Sequence, residues 1–177
     1  MTPDITYLDP KDARHLTLCY GCADTPYGTS MIVATPEGAA AFLGFCDTAR
    51  AKKEIAALKT DWPTAAWQHD DALVQGVAQK IFSGAPVPLV LIGTPFRHKV
   101  WQELVKIPAG ERTHYGAIAA AVGSHPRAVG GAVGANPVSY LVPCHRVLGA
   151  DGALHGYRWG LEIKRRLLTA ETNQKAA

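Results

Sequence analysis

The sequence predicts an α+β protein in two parts. Residues 1–93 read as a small mixed domain of sheet with helices, and residues 94–177 as a helical domain. Three observations predict this. Short β-prone runs divided by Pro and Gly turns fill the first part, and apolar stripes at helical spacing fill the second. The charge also changes sign between them. Residues 1–93 carry 7 Lys/Arg against 10 Asp/Glu, net −3, whereas residues 94–177 carry 11 against 5, net +6.

Residues 16–20 and 30–34 are β-prone, with Pro26, Gly28, Pro36 and Glu37-Gly38 as turns. Residues 39–45 continue as an apolar run. Residues 50–58 read as a helix with Ile55 and Leu58 on one face. In a second helix, residues 70–82, Leu73, Val74, Val77 and Ile81 fall at helical spacing and Gly84 ends it. Residues 87–92 read as a buried strand, and Gly93-Thr94-Pro95 as the junction. Beyond it, Phe96, Val100, Trp101, Leu104 and Val105 form one stripe of a helix over residues 96–107. Residues 115–122 form a short alanine-rich helix broken by Gly123-Ser124-His125. Pro126 then suits the first turn of another, running to about residue 135. Two short helices on a glycine-containing turn are the pattern of a helix-turn-helix. The second of them is almost all small side chains, which costs a helix stability. Either it packs tightly on its own core, or it enters a nucleic-acid groove with little bulk.

At 177 residues, 47% hydrophobic and 19% charged, the chain can bury a proper core and is not a disordered tail. It contains no apolar run of about 18 residues. Met1-Thr2-Pro3-Asp4 shows no basic-then-apolar leader, so the cytoplasm is the expected location and no membrane the expected partner. The basic second half points to a polyanion; the alternative is that Lys164, Arg165 and Arg166 merely solvate a helix face. Without an export signal, disulfides are not expected for Cys19, Cys22, Cys46 and Cys144. Cys19-Tyr20-Gly21-Cys22 reads as two strand cysteines, or as half of a zinc site that His69 or Cys46 completes.

The stretch richest in chemistry is Pro143-Cys144-His145-Arg146. It follows the apolar Tyr140-Leu141-Val142, so the cysteine sits rigid and partly buried. The basic neighbours are expected to favour its thiolate, the nucleophilic form. Adjacent side chains of an extended segment point apart, so contact between Cys144 and His145 needs a turn or a water relay. A carboxylate to orient the imidazole completes the logic of a triad. Glu171 shares a helix face with Leu167 and Leu168, although a solvated place near the C-terminus is its plainer reading.

Asn136-Pro137 upstream, Pro143-Cys144-His145-Arg146-Val147, and Gly156-Tyr157-Arg158-Trp159-Gly160 downstream together resemble the active-site region of O6-alkylguanine-DNA alkyltransferases. So do Thr94-Pro95-Phe96, Val100-Trp101, Ile107-Pro108-Ala109-Gly110-Glu111 and Tyr115. The first half matches loosely, at residues 24–28 and 43–45, and the whole looks most like the C-terminal part of Ada-type proteins. The resemblance implies a ribonuclease H-like N-terminal sheet with helices, and a C-terminal domain containing the helix-turn-helix. It implies irreversible, single-turnover transfer of an alkyl group from O6-alkylguanine, or O4-alkylthymine, in double-stranded DNA to Cys144. No cofactor or metal is implied, and a monomer is.

By the same resemblance, His145 is the water-mediated base, Glu171 its acidic partner, and Asn136 the organiser of the turn before the cysteine. Tyr115 helps rotate the nucleotide and bonds the departing guanine. Arg127 is the finger that fills the gap it leaves, and Tyr157 and Arg158 wall the guanine pocket. Plainer readings make Asn136 a helix cap, Tyr157 a core residue and Arg127 a phosphate contact. Two departures stand out. The turn at residues 123–126 is two residues shorter than the family's, and Gly116 replaces a glutamine that would reach a phosphate. The competing readings are a non-catalytic DNA lesion-binding relative, which carries tryptophan where this chain has Cys144, and a Cys-His-Glu hydrolase that turns over repeatedly.

Overall fold

Two unbroken apolar runs, Ala40–Phe45 and Leu89–Ile92, become neighbouring strands buried along their whole length. A strand covered on both faces needs no polar alternation, which is why these segments read as continuous apolar sequence. The computed structural model describes residues 4–176. Met1-Thr2-Pro3, part of the segment read for an export signal, lies outside the described residues. The chain divides into two compact units, Met1–Thr94 and Pro95–Ala177.

The first unit is one mixed sheet with helices. Its strands are β1 (Ile5–Leu8), β2 (Thr17–Thr25), β3 (Gly28–Ala34), β4 (Ala40–Phe45), β5 (Ala66–His69) and β6 (Leu89–Ile92), in the order β1-β6-β4-β3-β2-β5. β2, β3 and β4 form an antiparallel meander, while β6 runs parallel to β4 and to β1, and β5 runs parallel to β2. Helices α1 (Thr48–Asp61) and α2 (Asp71–Phe82) begin at aspartate caps: Asp47 accepts from the Arg50 amide at 2.8 Å and Asp70 from Leu73 at 2.9 Å. Val74, Val77, Ala78 and Ile81 bury the inner face of α2.

Strands β1 and β5 and a 3-10 turn at Pro10–His15 lie beyond the sequence reading. Both strands are four-residue edges, too short for alternation to mark them. β2 also separates the two cysteine readings, in favour of strand cysteines. It spans Cys19 and Cys22 together, and residues three apart on a strand face opposite sides of the sheet. Cys19 is buried and Cys22 half-buried, and burial raises both thiols; a shared metal site at this CxxC is ruled out by direction.

The second unit comprises α3 (Pro95–Val105), β7 (Thr113–His114), α4 (Tyr115–Ala121), α5 (Pro126–Gly134), β8 (Val147–Leu148) and α6 (Leu161–Ala176). Trp101 is wholly buried and its indole N–H donates to the Ala132 carbonyl at 2.9 Å, which locks α3 against α5. The expectation of a purely helical part needs one correction. β7 and β8 pair in parallel, Thr113 with Val147 and His114 with Leu148. This small ladder fastens the chain just after Arg146 to the chain just before Tyr115.

Candidate active site

Asn136 builds the turn ahead of the cysteine. Its carboxamide oxygen accepts from the Val138 amide at 3.0 Å and its nitrogen donates to the Val142 carbonyl at 2.8 Å. Asn136 is buried, so both bonds form away from water. The loop they staple is tight enough to hold Tyr140 at φ 74°, a conformation that side chains larger than glycine seldom adopt. Cys144, His145 and Arg146 then form a 3-10 turn. That turn is the local bend that lets neighbouring side chains do different work.

Cys144 is 6% exposed and opens onto a cavity of about 480 Å³. Tyr115, Asn136, Ser139, His155, Tyr157 and Arg158 are among the residues that line it. Burial pushes the thiol up, while Asn136, Ser139, the Lys164 ammonium and Tyr157 act the other way. The resting group is therefore a thiol, contrary to the thiolate expected from its basic neighbours. Burial is the larger cause, and Arg146 does not offset it because its charge pairs with Glu171. Its guanidinium donates to Glu171 through Nε, at 3.0 and 3.2 Å, and through Nη2 at 2.7 Å, and also to the Ile107 carbonyl.

His145 is fully buried, and its Nε2 lies 2.7 Å from Glu171 Oε1. Burial lowers the imidazole more than the carboxylate raises it, so the ring is neutral. Its one N–H then belongs at Nε2, donating to the carboxylate, and Nδ1 keeps a lone pair with no hydrogen-bond partner within the protein. Burial alone would raise the Glu171 carboxyl, but hydrogen bonds from His145 and Arg146 and their charge hold it down at about 2. Glu171 also accepts from the Gly110 amide at 3.3 Å. It is therefore an interior group, not a solvated C-terminal one.

Lys164 corrects another expectation. The alternative reading made it part of a solvated face; instead it is 1% exposed, and Nζ donates to the carbonyls of Val147 at 2.8 Å and His155 at 3.1 Å. One ammonium thus ties the strand after the cysteine to the loop that walls the cavity. Burial lowers it and the cysteine pulls it back up. Ser139 was equally invisible to sequence reasoning. It is buried, and its hydroxyl accepts from the Trp159 indole N–H at 2.6 Å. Only the tertiary fold reveals either residue, since a lysine in a basic run and a serine in a loop carry no pattern.

Tyr115 is the first residue of α4 and half-buried at the cavity, where burial raises its phenol first and Cys144 adds to the rise. Arg127 is exposed in the first turn of α5, and Arg158 is exposed with its guanidinium 5.0 Å from the Trp159 ring centre. The helix starts show a further feature: His114 Nδ1 accepts from the Ala117 amide at 3.1 Å, and His125 Nδ1 from the Arg127 amide at 3.2 Å. The His114 ring lies over Gly116, where an added Cβ would stand 3.2 Å from Nδ1, so a cap occupies the space a longer residue would need.

On α5 the two readings of its small residues separate. A Cβ added at Gly130, Gly131 or Gly134 would meet nothing within 4 Å. Core packing does not demand these glycines. Among the described residues no group of three His, Cys, Asp or Glu side chains is placed to hold a metal ion. Among them, too, no helix is long and apolar enough to cross a membrane.

Residues 95–173 match the family model described as 6-O-methylguanine DNA methyltransferase, DNA binding domain. The chain is 35% identical over 175 residues to the regulatory protein Ada of Salmonella typhimurium, an alignment covering 93% of this chain and 48% of that one. It spans about half the length of several curated relatives that it matches, this one included. It is 42% identical over 120 residues to a methylated-DNA–protein-cysteine methyltransferase of Mycobacterium bovis, covering 63% of this chain and 73% of the relative. A crystal structure of Mycobacterium tuberculosis OGT in complex with DNA superposes with a TM-score of 0.67 at 34% identity, covering 90% of this chain and 94% of that one.

Proposed function

The chain belongs to the methylated-DNA–protein-cysteine methyltransferase family, and from that premise we propose that Cys144 accepts an alkyl group from O6-alkylguanine in duplex DNA, once per molecule. The observation that carries this is the buried Cys144 at the floor of a cavity, backed by a neutral His145 that Glu171 orients.

The chemistry follows from the site. The reacting carbon is buried in a base stack, so the nucleotide swings out into the cavity. Proton loss from the Cys144 thiol to the His145 Nδ1 lone pair, directly or through one water, makes the nucleophile only when it is needed. Sulfur attacks the alkyl carbon, a C–S bond forms, the C–O bond breaks, and its electron pair leaves on the guanine oxygen. The proton that His145 took from Cys144 is returned, through solvent, to the guanine anion, and Tyr115 is positioned to bond the departing base. The thioether product has no hydrolytic route among these residues, which makes the protein a stoichiometric acceptor. O4-alkylthymine carries its alkyl carbon on an analogous base oxygen, so that thymine leaves in the same way, and it is a second substrate.

We read the first unit as the ribonuclease H-like sheet of this family and α4–α5 as its helix-turn-helix. The open space at Gly130, Gly131 and Gly134 supports a helix kept low for a DNA groove, with Arg127 at its start as the finger. Tyr157 and Arg158 wall the base pocket. We take the protein to act as a monomer. Four free cysteines, one of them the acceptor, suit a reducing cytoplasm.

The test is the intact mass after incubation with duplex DNA carrying labelled O6-methylguanine. One label per protein, on Cys144 and absent from Cys144→Ala, is the expected result. Multiple turnovers, or transfer that survives Cys144→Ala, would overturn it. Arg127→Ala should slow transfer from duplex DNA far more than from the free modified base; equal losses would refute the finger.

A further inference from the structure

Behind Cys144 lies a group of side chains that the proton path through His145 does not use. Trp159 is buried and its Nε1–H, which can only donate, points at Ser139 Oγ from 2.6 Å. Ser139 is 1% exposed, and that bond occupies one of its lone pairs while leaving its own O–H free to donate. The Tyr157 hydroxyl is buried as well and makes no regular hydrogen bond, although it faces both Ser139 and Cys144 across the cavity wall that all four residues line. An unpaired buried hydroxyl is costly, so it persists where a charge that forms later will take up the donor.

We propose that Trp159, Ser139 and Tyr157 form a row of donors aimed at the Cys144 sulfur, with Ser139 as the positioning residue that turns the Tyr157 O–H toward it. The indole N–H already polarises the serine hydroxyl, and as the thiolate forms the serine O–H donates to the tyrosine oxygen and the tyrosine O–H to sulfur. At rest the acceptor is a neutral thiol and a weak partner. When the S–H proton leaves for His145, the sulfur becomes an anion in a cavity that Cys144 sees almost without solvent, and the tyrosine donor gains its partner. Once sulfur has bonded to the alkyl carbon the negative charge sits on guanine and the donor is released. The row thus favours the reacting state over both the resting thiol and the thioether product, which is the condition for a catalytic contribution. Burial raises the Tyr157 phenol well above its ordinary range, the cysteine adding to it, so it stays protonated and able to donate throughout.

This inference rests on the proposed role of Cys144 as acceptor, and its test separates the two. The thiol of the intact protein is titrated by thiolate absorbance and by the pH profile of alkylation with iodoacetamide, alongside transfer from O6-methylguanine DNA. For Tyr157→Phe and Ser139→Ala the midpoint of Cys144 should rise by about one pH unit, equivalent to about a tenfold loss in both alkylation and transfer at fixed pH. Ser139→Thr, which keeps the hydroxyl, should restore the wild-type profile. An unchanged midpoint in Tyr157→Phe, which leaves the Trp159–Ser139 bond intact and decides the matter if Ser139→Ala does not fold, overturns the proposal. If wild-type protein takes no label from DNA while its iodoacetamide profile still shifts in the variants, the substrate reading fails and the donor row stands.

Discussion

Glu171 Oε1 meets His145 Nε2 at 2.7 Å across 26 residues of sequence. The same carboxylate also binds Arg146, so one side chain on α6 holds both residues that follow the cysteine. Glu171→Gln keeps the size but lets the ring choose the other tautomer, placing a proton on Nδ1 where a lone pair is required. Single-turnover transfer should fall by about a hundredfold with DNA affinity unchanged, checked by quench kinetics and a binding titration.

The same carboxylate makes stability depend on pH. Its folded value of about 2 lies below the ordinary 4.5, so the unfolded chain binds the proton first. That contribution is complete above the unfolded value and is lost as pH falls from about 4.5 toward 2. Thermal unfolding followed between pH 6 and 2.5 should show a steeper acid loss for wild type than for Glu171→Gln, and parallel curves would contradict the assignment.

Replacing Gly131 by Ala tests the exposed face of α5. With open space around the new Cβ, helix propensity alone decides, and the free protein should gain about 0.5–1 kcal/mol. Affinity for duplex DNA should fall in the same variant. Denaturant melts and a binding titration measure the two effects, and a gain in both would deny α5 its groove.

Lys164→Met removes the donor shared by the Val147 and His155 carbonyls. Two buried acceptors then lose their partner, at a cost of about 2 kcal/mol or more. Beyond that, the cavity wall loses its tie to the strand after the cysteine. Transfer should therefore slow even at temperatures where the variant remains folded, as measured by unfolding and by single-turnover rates on the same preparation.

Much of this was legible in the sequence because it is local. Pro143-Cys144-His145-Arg146 marks the cysteine of the candidate site, and Asn136 sits within reach of the turn it staples; Glu171 shares the stripe of Leu167 and Leu168, yet sequence alone favours a solvated place over the buried one it takes. What the residues did not announce depends on long-range approach. Nothing near Arg146 says that it serves Glu171 rather than the thiol. Nothing in Lys164-Arg165-Arg166 singles out the first as buried, and the hydroxyl of Ser139 gains meaning only when Trp159 reaches it. β1 and β5 escaped for a related reason: a four-residue edge strand is defined by its neighbour more than by its own pattern.

The three glycines of α5 carry a consequence for anyone who improves this protein. Selection for heat resistance alone would convert them to alanine one by one, each step passing every assay of folding and solubility. On the proposed role of α5 in a DNA groove, the variants that emerged would be sturdier and would bind duplex DNA less tightly. On that face of the helix, a gain in folding stability and the proposed fit to DNA pull in opposite directions.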